Sequence, residues 1–84
     1  MTKKQSDAIV KTLNDAGIKF SPSFKEGKLR LLVACFSASE PDLVFVFRQI
    51  DMILDVLKDA GFRLLGREEV RRSGTLLYYF LTFG

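Results

Sequence analysis

Three aspartates stand four residues apart, at Asp51, Asp55 and Asp59. On a helix this spacing lines up their carboxylates, which could hold Mg2+ or divide acid and base work. A site of that kind needs further ligands or a phosphate-cradling loop. Neither Gly-x-x-x-x-Gly-Lys-Ser/Thr nor Gly-x-Gly-x-x-Gly occurs in the chain. Arg48 lies three residues from Asp51 and Lys58 three from Asp55, so the stripe reads as a solvated helix face. Asp7 and Lys11 make a second helical pair of that type. Cys35 is the one cysteine. A nucleophilic thiol needs an electropositive, accessible setting and a base. The chain has no histidine, which removes imidazole bases, His metal sites and Ser-His-Asp chemistry. Cys35 therefore reads as packing in an apolar strand. No metal or cofactor is implied, and the expectation is a protein that is not an enzyme.

Two other groups of residues point to binding. Lys25, Lys28 and Arg30 mark one turn region, and Arg67, Arg71 and Arg72 another. Clusters like these could contact phosphates or another anion, nucleic acid included. Glu26, Glu68 and Glu69 dilute both, and basic turns also serve solubility. The second group is aromatic and aliphatic: Leu32, Phe36, Leu77, Tyr79, Leu81 and Phe83, in two apolar runs.

The whole composition bounds these readings. The chain has 84 residues, 48% hydrophobic and 27% charged, which is a globular mix expected to form one domain over 1–84. Thirteen basic and ten acidic residues give +3, compatible with an acidic partner. Residues 1–39 carry +4 and residues 40–84 carry −1. No uncharged run approaches the roughly 20 residues of a membrane span. No basic-then-apolar leader opens the sequence, and one cysteine allows no internal disulfide. The expected location is the cytoplasm, with no membrane association.

These residues are positioned by a duplicated pattern. Ile9–Phe20 aligns with Ile53–Leu64 through a shared Leu-x-Asp-Ala-Gly core followed by apolar, basic, apolar. Lys28–Ser37 aligns with Thr75–Gly84 after a three-residue difference in the linking loop. The copies span about 6–37 and 50–84. In each, apolar residues at helical spacing precede a glycine. Ile9, Val10, Leu13 and Ala16 share one face, and Phe47, Ile50, Ile53, Leu54, Leu57 and Ala60 another. Gly17 and Gly61 suit a left-handed helix C-cap. Ile18–Phe20 and Phe62–Leu64 then alternate as strands. Ser21–Gly27 and Gly66–Gly74 read as the links to two β-prone runs, Leu29–Phe36 and Leu76–Phe83. Ser39, Pro41 and the nearby acids mark the start of a second helix over about 40–60.

The order α-β-β-α-β-β predicts an α+β fold built as a tandem αββ repeat. With the most apolar strands central, the four-stranded antiparallel sheet has order 1-2-4-3 and both helices on one face. This is the ferredoxin-like split β-α-β arrangement, circularly permuted so that its first strand closes the chain. Arg30 should avoid the core, which turns Leu29, Leu31, Val33 and Cys35 toward the helices. The repeat then sends Leu76, Tyr78, Phe80 and Thr82 inward with them. Left on the open face are Arg30, Leu32, Ala34 and Phe36, with Leu77, Tyr79, Leu81 and Phe83. Lys19, Arg63 and Leu65 flank them.

Such a face is too apolar for a bare sheet. A second copy packed back to back would bury about 800 Å² per partner, a standard interface. The expected function is therefore a small non-enzymatic interaction or regulatory module. It would be homodimeric through the sheet face and would bind another macromolecule, an unidentified protein partner. The alternative is a nucleic-acid-binding protein using sheet aromatics or basic hairpin tips. On the second helix the stripe Phe45, Gln49, Met52 and Val56 either packs on the first helix or makes another contact surface.

Overall fold

Thr2 closes the first turn of helix α1 (Lys3–Asp15) with a capping box. Its Oγ1 accepts the Gln5 N–H at 3.1 Å, and Gln5 Oε1 accepts the Thr2 N–H at 2.8 Å. Two amides that the helix leaves without intrahelical acceptors are thereby satisfied. The computed structural model describes the backbone of residues 1–35, 40–72 and 76–84. It describes their side chains except those of Cys35, Glu40, Pro41, Asp42, Arg72 and Leu76. Helix α2 spans Glu40–Asp59, and the strands are β1 (Ser21–Lys25), β2 (Lys28–Cys35), β3 (Leu64–Arg72) and β4 (Leu76–Phe83).

The two helices end in the same way. Gly17 has φ 78° and Gly61 φ 87°, both in the left-handed region that lacks a steric penalty only for glycine. The Ile18 N–H donates to the Leu13 carbonyl at 3.2 Å, and the Phe62 N–H to the Leu57 carbonyl at 2.9 Å. The Gly17 and Gly61 amides reach back to Asn14 and Lys58, each at 3.0 Å. This is the same glycine cap in both copies, with an apolar residue after it returning to the core.

The sheet is antiparallel with order β1-β2-β4-β3. Its central pair sets Leu29 opposite Phe83, Leu31 opposite Leu81, Val33 opposite Tyr79 and Cys35 opposite Leu77. All the described side chains of these pairs are buried against the helices. Ile9 and Leu13 of α1 and Val46, Ile50, Ile53 and Leu57 of α2 complete the core, with Ile18 after the first cap. Burying each such side chain stabilises the fold by roughly 1.5–3 kcal/mol. Leu54 and Val10 pack at its margin, while Phe47, Ala16 and Ala60 are exposed.

Two boundaries differ from the sequence expectation. The first strand is Ser21–Lys25, not Ile18–Phe20, and the third is Leu64–Arg72, not Phe62–Leu64. Both are edge strands, wet along one side, so their polar composition resembles that of loops. Pro22 is tolerated on an edge, where its missing N–H breaks no ladder bond. Gly66 follows a bulge: the register slips between Leu64 and Gly66. The turn before β2 narrows to Glu26-Gly27, with φ 54° and 76°, the two-residue hairpin geometry that requires positive φ twice.

Candidate functional site

The helices cover one face of the sheet, and the opposite face is built in rows. Ser21, Leu32, Phe80 and Glu68 stand across from one another on β1, β2, β4 and β3. The next row is Ser23, Arg30, Thr82 and Gly66. On the other side of Phe80 lie Ala34, Tyr78 and Val70. Lys25 faces Lys28 beside the β1–β2 turn.

This membership corrects the expected oligomer face. Leu77, Tyr79, Leu81 and Phe83 are core residues, each no more than 6% exposed. Of the expected set, Leu32 does lie on the open face, and Phe36 falls outside the described residues. The physical reason is a change of parity in β4. Residues opposite each other in a sheet share a face, and Leu29, Leu31 and Val33 stand opposite Phe83, Leu81 and Tyr79. Both alternating sets of β4 are apolar, so alternation alone could not choose between them. The aromatics turned outward are Tyr78 and Phe80, half-buried on the strand surface.

Arg30 organises the centre of this face. Its guanidinium carbon lies 4.2 Å from the Phe80 ring centroid, a cation–π contact. Arg30 Nη2 also lies 3.9 Å from Glu68 Oε2. The side chains of Arg30 and Glu68 are 49% and 70% exposed, so the ion pair is weak and easily exchanged for another anion. Tyr78 and Phe80 are two residues apart on one strand, about 7 Å along it.

The basic residues do not form one cluster. Lys25 and Lys28 flank the Glu26-Gly27 turn. Arg67 and Arg71 lie along β3, opposite Leu81 and Leu77, on the side of the sheet that carries the helices. Arg71 Nε donates to Glu69 Oε1 at 3.0 Å. Arg72 stands opposite Leu76 at the far end of β3. The Lys25–Lys28 pair and the Arg72 end of β3 thus lie at opposite ends of the sheet, roughly 25 Å apart along the strands.

Charge is segregated between elements. Helix α2 contains Glu40, Asp42, Asp51, Asp55 and Asp59 against Arg48 and Lys58, or −3. The remaining residues carry eleven basic and five acidic groups, or +6. Asp51, Asp55 and Asp59 are exposed, and the described residues contain no group of three potential metal ligands. Asp7 pairs with Lys3 at 3.1 Å, not with Lys11 as its spacing had indicated. A shallow groove between the helices is lined by Ala8, Ile9, Thr12, Val56, Asp59 and Ala60. Its one hydroxyl, Thr12 Oγ1, donates to the Ala8 carbonyl at 3.0 Å. Of the α2 stripe, Gln49 is buried and Val56 lines this groove, while Phe45 and Met52 are exposed.

Sequence reasoning found Lys25, Lys28, Arg30 and Leu32 but missed Phe80, Tyr78 and Glu68 as face residues. The neighbourhood of β2 and β4 was expected; their register was the missing information. No helix is long and apolar enough to cross a membrane among the described residues. Comparison with known proteins finds no matching family model, no matching curated protein and no matching solved structure.

Proposed function

We propose that this protein is a non-enzymatic binding module that takes single-stranded nucleic acid on its open sheet face. The observation that carries the reading is the central trio: Phe80 and Tyr78 on β4, with the Arg30 guanidinium stacked on Phe80. Outward aromatics on a central strand offer platforms for bases, and a neighbouring arginine supplies both charge and a stacking plane. Lys25 and Lys28 at one end of the same face add charge for the backbone. Ser21, Ser23 and Thr82 supply hydroxyl donors and acceptors on the face.

A back-to-back dimer through this face is supported less well. The core of a dry dimer interface is depleted in charge. Arg30 and Glu68 sit in the middle of this one, and Ser21, Ser23 and Thr82 surround them. Leu32, Ala34 and Val70 contribute apolar area, but they are interleaved with these polar positions.

The test is fluorescence anisotropy with labelled single-stranded RNA, single-stranded DNA and duplex DNA at about 50 and 200 mM salt. Binding of single strands that weakens with salt and exceeds binding of duplex is the expected result. Equal affinity for duplex and single strands would show that charge alone acts. Absence of binding at low salt would remove the nucleic-acid reading and leave a protein as the partner of the face.

A further inference from the structure

The sheet has two edges, and they are built differently. β1 has five residues and contains Pro22, two features that blunt an edge against pairing. β3 has nine residues, no proline, and lies at the opposite edge. Edges like this are usually guarded by charge, and β3 is heavily charged. Its charges, however, follow an order that is antisymmetric about one residue: Glu68, Glu69, Val70, Arg71, Arg72.

We infer that β3 pairs antiparallel with β3 of a second copy, about a two-fold axis at Val70. In that register Glu69 stands opposite Arg71 of the second copy, and Glu68 opposite its Arg72. Symmetry repeats both pairs, so four oppositely charged pairs flank one Val70–Val70 contact. Moving the axis one residue either way sets Glu69 against Glu69 or Arg71 against Arg71. The charges that would repel a foreign edge therefore select this one partner and this one register. Within a single chain Arg71 already reaches Glu69 at 3.0 Å. At the axis the two copies' Glu69 and Arg71 would form an alternating ring of four charges on one face.

The product is a continuous eight-stranded sheet in the order β1-β2-β4-β3-β3-β4-β2-β1. An axis perpendicular to the sheet keeps both open faces on the same side. Tyr78 pairs with Val70, so the two Tyr78 positions lie level with the axis. They are separated by three strand spacings, about 14 Å. The two Phe80 positions, two residues further along in opposite directions, are about 20 Å apart. This pairing does not depend on what the open face binds. If that ligand is a single strand, the dimer joins two platforms into one and raises affinity by linkage.

The experiment uses the intact protein, with mass measured by light scattering during size exclusion over about 10–300 µM. The variants are E68K/E69K and R71E/R72E, each alone and mixed one to one. Wild type is expected to dimerise. Each variant alone should dimerise about tenfold more weakly or worse, because every cross-strand charge pair becomes repulsive. The mixture should recover a heterodimer. Three results would overturn the inference: a monomeric wild type across this range, variants that dimerise like wild type, or a mixture that stays monomeric. Should a variant fail to fold, wild-type hydrogen exchange decides: alternate amides over 68–72 gain protection with concentration, or the pairing is absent.

Discussion

Arg30 on β2 and Phe80 on β4 are diagonal neighbours across the central strand pair, with guanidinium carbon and ring centroid 4.2 Å apart. The contact sits where the strand register brings Arg30 opposite Thr82 and Phe80 opposite Leu32. It partly covers an aromatic ring that would otherwise face water, and it holds a cation where a base could stack. In the free protein Glu68 shares this cation. An incoming phosphate competes for it at little cost, since both partners are largely exposed.

The face assignment predicts opposite behaviour for adjacent tyrosines. Tyr79 is 3% exposed, with its ring edge-on to Phe47 at 5.7 Å between centroids. Tyr79→Ala should destabilise the fold by about 3–5 kcal/mol in urea unfolding. Tyr78→Ala, on the open face, should cost about 1 kcal/mol. Equal losses would mean the register is wrong.

Phe80→Ala should weaken single-strand binding by about 5- to 150-fold, the range expected when one stacking platform is lost. Urea unfolding should show a stability loss well below that of Tyr79→Ala. A variant that binds like wild type would remove Phe80 from the site.

Salt dependence should report the cations of the face. If Lys25, Lys28 and Arg30 each neutralise one phosphate, log K should fall against log salt with a slope of about −2 for single strands. Arg30→Gln should make that slope shallower by about 0.7. An unchanged slope would show that Arg30 meets no phosphate.

The repeated caps predict matched effects at distant positions. Gly17→Ala and Gly61→Ala each force a side chain into a left-handed backbone, at φ 78° and 87°. Each should cost about 1–2 kcal/mol in chemical denaturation. At Thr2, removal of the capping hydroxyl by Thr2→Ala should cost about 1 kcal/mol. A large difference between the two glycines would mean that the caps carry unequal loads.

Much of the architecture was readable because local chemistry agreed with the fold. Gly17 and Gly61, each after an apolar helical stripe, announced both caps and the αββ repeat. The two long apolar runs announced the central strands and hence the 1-2-4-3 order. The edge strands were hidden because Pro22 and Gly66 resemble turn punctuation and their neighbours are polar. The site was harder to read because its membership depends on parity. A two-residue turn joins β1 to β2, whereas β3 carries a bulge and its link to β4 is one residue longer. Aligning Lys28 with Thr75 therefore carried the wrong face onto β4. Leu77 and Tyr79 were exchanged for Tyr78 and Phe80, with nothing in their hydrophobicity to object.

The most direct measurement is a map of backbone amide shifts in two-dimensional NMR as a single-stranded oligonucleotide is added. The account predicts that shifts cluster on the open face, at Arg30, Leu32, Tyr78, Phe80 and Thr82, and extend to Lys25 and Lys28. Shifts confined to α2 or to the groove between the helices, or no shifts at low salt, would contradict it.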